Sequence, residues 1–311
     1  MNKPCELCPR RCGAMRGEGE TGFCRAGNAP RIFRWGPHFG EEPPLVNAGG
    51  SGAIFFSRCT MRCCYCQNSP WSWRGEGEDV SIERLREMMR VLAEDKKCAN
   101  WNMVSPTPYL PFIREAAHPL LREGIRLPFV FNTSGYERRE TLEEYAEFAD
   151  VALCDLRYSQ NETAIAASAA PGYVEAGRDT MKWFANRLGD GLALDANGLA
   201  ARGVICRILV LPGHADEAIE NLAWIATEIS SNVHVSVMSQ YTPAFRAKEI
   251  APWNRTVSED EYNEVAEAAA DFGFANGWVQ GFDSNHADAA LLGENMSPGE
   301  GAVGERTENL P

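Results

Sequence analysis

The sequence predicts an α/β fold built on a parallel sheet, and three observations carry that reading. Between about residues 51 and 280, short apolar runs of β character alternate with amphipathic stretches of helical period, the pattern of repeated βα units. Six such units can be counted, too few for a closed eight-stranded barrel. The first apolar run, Gly52-Ala53-Ile54-Phe55-Phe56-Ser57, leads straight into a loop dense in cysteine. Parallel α/β folds place their chemistry on loops at that end of the strands.

The elements follow in order. Strand one, 52–57, is opened by Asn47-Ala48-Gly49-Gly50-Ser51 and reads as buried. Ser81 caps a helix that runs to residue 94, because a serine there can accept from otherwise unpaired amides while Leu85, Met88, Met89 and Leu92 share one face. Strand two covers 101–104, a helix 109–123, strand three 128–131, a helix 141–148 and strand four 150–154. Helical stretches at 162–168 and 175–187 precede strand five at 204–211, a helix at 215–228, strand six at 233–237 and a last helix at 259–272. Residues 1–50 are rich in Gly, Pro and Cys without periodicity and read as a separate metal-binding segment, ordered by a metal rather than by a core. The core would then span 51–284, and the weakly hydrophobic stretch 285–311 is predicted to be a disordered tail.

Composition narrows the function classes. The 311 residues include 11 cysteines and carry a net charge of -13, which argues against a broad nucleic-acid-binding surface. Arg138-Arg139, flanked by Glu137 and Glu140, reads as a solvated helix start. No apolar stretch reaches membrane length, so no membrane partner is expected. Met1-Asn2-Lys3-Pro4-Cys5 lacks the apolar core of an export signal, so the reading is a cytoplasmic protein whose cysteines bind metal rather than pair as disulfides.

Cys59-Thr60-Met61-Arg62-Cys63-Cys64-Tyr65-Cys66 has the spacing Cys-x3-Cys-x2-Cys. Three thiolates on one short loop, Cys59, Cys63 and Cys66, can hold three irons of a 4Fe-4S cube and leave the fourth open. With the strand before it and Tyr65 just ahead of the last cysteine, the loop resembles the signature of the radical S-adenosylmethionine (SAM) superfamily, and the wider pattern resembles the pyruvate formate-lyase activating enzymes. The resemblance covers about residues 5–245 and implies an open partial (β/α)6 barrel of TIM type. It also implies a 4Fe-4S cluster, SAM as cofactor, reductive SAM cleavage of oxidoreductase or lyase type, and a flavodoxin or ferredoxin as electron donor. The substrate, a small molecule or a protein, is not encoded in any motif.

The same resemblance points to the SAM contacts. In Cys154-Asp155-Leu156-Arg157, Asp155 and Arg157 fall on one side of an extended chain, where a carboxylate can take ribose hydroxyls and a cation can pair with a carboxylate. The activating enzymes have Asp-Leu-Lys there. Arg207 is a cation in an apolar run and needs an anion; the SAM carboxylate and a neighbouring side chain both qualify. Ser105-Pro106-Thr107-Pro108 stands where the family has Gly-Gly-Glu-Pro, so Thr107 replaces its glutamate. Asn132-Thr133-Ser134-Gly135 resembles the family's Asp-Thr-Asn-Gly turn and brings Thr133 and Ser134 toward SAM. Gln240 is placed at the adenine edge, and Tyr65 beside the cofactor.

Cys5, Cys8, Cys12 and Cys24 supply four more thiols, spaced Cys-x2-Cys-x3-Cys-x11-Cys. They suit a structural zinc or a second, fully ligated cluster. Cys64, Cys98, Cys154 and Cys206 read as packed thiols and His38 as a turn residue. Glu41 and Glu42 read as a substrate-facing carboxylate pair or a solvated loop. Three functions stay open: a radical SAM enzyme, an activase that installs a glycyl radical on a partner, and a non-catalytic iron-sulfur or zinc protein.

Overall fold

The computed structural model describes residues 3–282 and 297–301. Among the described residues, eleven strands form one sheet. In chain order these are β1 (Arg31–His38), β2 (Ser51–Phe56), β3 (Glu78–Asp79), β4 (Trp101–Val104), β5 (Phe129–Thr133), β6 (Val151–Asp155), β7 (Leu192–Leu194), β8 (Ala200–Leu209), β9 (His234–Met238), β10 (Gly277–Val279) and β11 (Gly299–Glu300). The α-helices are α1 (Ser69–Ser72), α2 (Ile82–Glu94), α3 (Leu110–Arg122), α4 (Arg139–Glu144), α5 (Asn161–Ser168), α6 (Tyr173–Leu188), α7 (Ala215–Glu228) and α8 (Glu259–Asp271).

From β2 through β4, β5, β6, β8 and β9 to β10 the sheet follows the order of the chain, and every neighbouring pair is parallel. Crossovers between parallel strands are right-handed. An order without reversal therefore carries the crossover helices to one face of the sheet and leaves the other face free. β1 runs antiparallel to β2, and β11 lies parallel to β1 at that edge.

Side chains alternate across each strand, and the alternation separates two environments. Trp101, Met103, Phe129, Phe131, Ala152, Cys154, Val204, Cys206 and Ile208 enter the large core that α2, α3, α6 and α7 cover. Burying each of the larger side chains contributes roughly 1.5–3 kcal/mol. On the opposite face Val130, Val151, Leu153 and Ile205 pack with Leu45 low in the sheet. Toward the C-terminal strand ends that face turns polar, through Asn102, Asn132, Asp155 and Arg207. This switch from apolar to polar along one face creates the site.

The helix bounds agree closely with the pattern-based expectation. Ser81 caps α2 by accepting the Arg84 amide at 3.1 Å, and α7 has the expected limits. Several strands differ. β8 begins at Ala200 rather than 204 because a hairpin with β7 extends it backward, and β10 follows the last predicted helix.

The segment 1–50, expected as a separate metal-binding piece, contributes a strand to the sheet. β1 is a full strand of the sheet, registered against β2 from Ile32↔Phe56 to His38↔Ser51. Its Ile32, Phe33 and Trp35 are buried. Gly36 and Pro37 break the alternation that would have announced it. Of the tail expected to be disordered, residues 297–301 carry β11 and join the sheet; the rest of 285–311 lies outside the described residues.

Candidate functional site

The cysteine loop leaves β2 and returns over the C-terminal strand ends, where it roofs a cavity of about 240 Å3. Cys59, Cys63 and Cys66 line it together with Thr133, Ser134, Asp155, Arg157, Arg207 and Gln240. A second cavity of about 150 Å3 shares Cys66, Asp155, Arg157, Arg207 and Gln240, and adds Tyr65 and Tyr241. The predicted residues, scattered over about 180 positions of sequence, thus meet at one place, with one exception.

Thr107 is the exception. Ser105 adopts a left-handed backbone (φ 59°) at the end of β4 and turns the chain sharply, so that Ser105 itself lines the cavity. Thr107 is carried below it, buried, and donates to Glu137 Oε1 at 2.7 Å.

Each of the three loop thiols has its own hydrogen-bond partner. The Met61 amide donates to Cys59 Sγ at 3.5 Å, Ser168 Oγ to Cys63 Sγ at 2.9 Å, and Ser72 Oγ lies 3.0 Å from Cys66 Sγ. Arg157 Nη1 stands 3.9 Å from Cys63 Sγ. Ser168 is in turn paired with Tyr158, and Tyr158 with Tyr65, which fixes the loop from below. Burial pushes the Cys59 thiol up to about 11 and the Cys66 thiol up to about 12. Without a metal the thiol form is therefore favoured at neutral pH, and ligated irons would supply the positive charge that thiolates need there.

Cys64 points elsewhere. It lines neither cavity, although it is buried in a cluster that also holds Cys63; its amide donates to Ala167 O at 2.7 Å, and its carbonyl accepts from Arg246 and Ala247. It is the packed thiol the sequence suggested.

The cations are already paired. Arg157 forms a salt bridge with Asp155, with Nε 3.1 Å from Oδ2. Burial works against the charge on Arg157, and Asp155 outweighs it. Arg207 donates to Glu42 at 2.8 and 2.7 Å and also to Glu41. The anion Arg207 requires is thus supplied by the chain itself, and Glu41 and Glu42 form no solvated loop. Glu42 is buried, and Glu41 also accepts from Asn102 at 2.8 Å and lies 3.7 Å from His38 Nε2. His38 lines the cavity rather than an isolated turn. Sequence spacing gives no sign of this clamp, because its members stand 165 residues apart.

The turn after β5 depends on Gly135 (φ 78°), where an added Cβ would sit 2.5 Å from the Asp155 carbonyl oxygen. Tyr173 ties the same turn to β6 by donating to Ser134 O at 2.8 Å and accepting the Arg157 amide at 3.0 Å.

Glu137, two residues after Gly135, is buried and accepts from Thr107 and Thr133 through one oxygen; among the described residues the other oxygen has no partner. Burial raises its pKa from 4.5 to about 7. The folded protein therefore binds this proton more tightly than the unfolded chain, and stability falls as pH rises from about 4.5 to about 7. The loss amounts to about 3 kcal/mol. Glu137→Gln has no proton to lose, and its urea-unfolding free energy is expected to lack this component of the pH slope.

Cys5, Cys8, Cys12 and Cys24 also converge, around a small recess that Thr60 of the cysteine loop helps to line. Gly22 lies so close that a Cβ there would fall 2.2 Å from Cys12 Sγ. Among the described residues no three His, Cys, Asp or Glu side chains close around a single metal ion. Cubane corners hold their thiolates farther apart than one ion does, so the Cys59, Cys63 and Cys66 set is compatible with a cluster on this ground.

Fold and site together define an α/β protein with a cofactor cavity at the ends of a parallel sheet, roofed by a three-thiol loop. The radical SAM superfamily profile matches residues 53–223, more than half of the chain, and the chain belongs to that superfamily. It is therefore an enzyme of a family that uses a 4Fe-4S cluster and SAM. It is 30% identical over 276 residues to the uncharacterized protein MJ0674 of Methanocaldococcus jannaschii, covering 86% of this chain and 74% of that one.

Among solved structures, the chain resembles a radical SAM methyltransferase from Sphaerobacter thermophilus, with TM-score 0.52 and 14% identity over 74% of this chain and 67% of that one. It also resembles Streptococcus suis SuiB bound to S-adenosylmethionine, with TM-score 0.48 and 11% identity over 73% of this chain and half of SuiB. These likenesses lend no support to the narrower resemblance to pyruvate formate-lyase activating enzymes. No helix among the described residues is long and apolar enough to cross a membrane.

Proposed function

We propose that this chain is a radical SAM enzyme in which Cys59, Cys63 and Cys66 hold the 4Fe-4S cluster and the cavity beside them holds SAM. The observation that carries the reading is the convergence of three hydrogen-bonded thiols of one loop on a cavity walled by Thr133, Ser134, Asp155 and Gln240. When bound and reduced, a cluster with one open iron supplies the electron that splits SAM into methionine and a 5′-deoxyadenosyl radical. The chain contributes orientation and exclusion of water. Asp155 offers an acceptor to the ribose hydroxyls, Arg157 holds Asp155 in place, and Tyr65 and Tyr241 provide apolar walls. The one-way sheet order supports a partial barrel, whose inner face the cavity would occupy.

The four N-terminal cysteines form a second metal centre in this reading, and since no three of them close around one ion, their spacing suits a second cluster better than zinc. Burial pushes the Cys8 thiol up to about 12, and packing such thiols together without a metal gains little. Zinc analysis against excess iron and sulfide separates a zinc site from a second cluster. The principal test is anaerobic reconstitution with iron and sulfide, followed by assay for 5′-deoxyadenosine after adding SAM and dithionite. Product is expected, and its absence from cluster-loaded protein contradicts the proposal.

A further inference from the structure

The chain carries a net charge of -13, yet the outside of the cysteine loop is cationic. Arg58 and Arg62 belong to the loop, Arg10 donates to the carbonyl of Thr60 at 2.6 Å, and the Arg246 amide donates to Cys64 O at 3.0 Å. Two aromatic rings link Arg10, Arg62 and Arg246 into a strip. Arg10 lies 3.4 Å and Arg62 5.2 Å from the centre of the Phe23 ring, while Arg62 and Arg246 lie 4.9 and 4.8 Å from that of Trp73. Arg25, exposed, adds a fifth charge close enough to depress the Arg62 pKa, after burial and together with Arg58.

Among the described residues, none of Arg10, Arg25, Arg58, Arg62 and Arg246 has a carboxylate within ion-pairing distance, whereas most other arginines of the chain do. The polar partners of Arg10, Arg58 and Arg62 are carbonyl oxygens, as in Arg62 to Phe23 O at 2.6 Å and Arg58 to Trp73 O at 3.1 Å. Carbonyls and rings fix a guanidinium in place without neutralising it. Phe23, 37% exposed, adds an apolar contact in the middle of the strip. Positive charge that no carboxylate pairs, beside an accessible ring, is what an acidic protein surface can recognise, even though Arg10 and Phe23 also border the recess of the four N-terminal cysteines. It lies on the outer side of the loop whose inner side carries the cluster thiols.

Resting on the radical SAM reading above, we propose that this strip docks a low-potential electron-donor protein whose cofactor edge is ringed by carboxylates, a flavodoxin or a ferredoxin. In the complex one electron leaves the donor's reduced centre and enters the cluster. The donor is oxidised by one electron, the cluster is reduced by one, and no proton or bond is exchanged. The chain's net charge of -13 disfavours acidic partners on the molecule as a whole, which leaves this strip as the approach of opposite sign.

The test is the double variant Arg25→Glu and Arg246→Glu, two exposed side chains outside the cofactor cavity. With reduced flavodoxin as donor, 5′-deoxyadenosine formation is expected to slow about tenfold or more, and the steep decline of the wild-type rate with added salt should flatten. The dithionite-driven rate should stay at the wild-type level. An unchanged flavodoxin-driven rate overturns the proposal, and so does an equal fall with dithionite, which would assign the cations to tuning the cluster. If wild-type protein with dithionite yields no product, the radical SAM reading itself fails. Docking is then decided by titration with oxidised flavodoxin: a Kd raised about tenfold in the variant supports it, and an unchanged Kd overturns it.

Discussion

Replacing Cys59, Cys63 or Cys66 with alanine is expected to abolish 5′-deoxyadenosine formation, while Cys64→Ala keeps it within a few-fold of wild type. Loss of any one of the three removes a cluster corner, and two thiolates on a loop do not retain a cube at working concentration. The expected drop is a thousandfold or more, roughly 4 kcal/mol in the barrier. Cys64 is the internal control, because it adjoins Cys63 yet lines neither cavity, and its backbone is bonded to Ala167 and Ala247. Truncating it leaves a small cavity and lowers stability by about 1 kcal/mol without touching the site. Iron content and product, measured on all four variants, check the assignment; equal losses in all four would show that the ligands are misassigned.

Arg207→Ala is expected to destabilise the fold by about 3–5 kcal/mol, because it leaves Glu41 and Glu42 buried without their cation. In the wild type, burial disfavours the Glu41 carboxylate, but Arg207 and then His38 more than offset it, and its pKa is lowered. That stabilisation is present above about pH 4.5, the ordinary value, and is lost as pH falls through the folded-state pKa. The gap between wild type and Arg207→Ala should therefore be widest near neutrality and narrow in acid, where protonated carboxylates no longer need the cation. Arg207→Lys keeps the charge but not the fork that serves both carboxylates, and should recover only part of the loss. Urea unfolding at several pH values reads both effects.

These two cases also mark where the sequence was legible. The Cys-x3-Cys-x2-Cys loop, the strand before it, and Asp155 and Arg157 two apart on β6 are local patterns, and local patterns survive folding. Helices with strong caps and periodic faces, such as α2 behind Ser81, were equally readable. β1 was not, since Gly36 and Pro37 interrupt its alternation and its pairing partner comes later in the chain. The Glu41–Glu42–Arg207 clamp was hidden for another reason: pairing across 165 residues leaves no trace in spacing. Thr107 does not line the cavity, and Ser105, left-handed at the end of β4, does. Family spacing locates a turn but not the direction in which the turn points its side chains.

The clamp also explains why an N-terminal segment so poor in apolar periodicity stays in place. Glu41 and Glu42, just beyond β1, reach Arg207 on β8. Arg16 lies buried with Nε 2.7 Å from Gly27 O, and its guanidinium also donates to Pro108 O. Charge pairing and carbonyl capture do there what apolar packing does in the helical layer.

The most direct test of the central claim is Mössbauer spectroscopy of 57Fe-loaded protein with and without SAM. A cluster held by Cys59, Cys63 and Cys66 alone has one iron free to take the methionyl amine and carboxylate, so part of the iron spectrum should shift when SAM is added. A spectrum in which no iron responds to SAM would contradict the account.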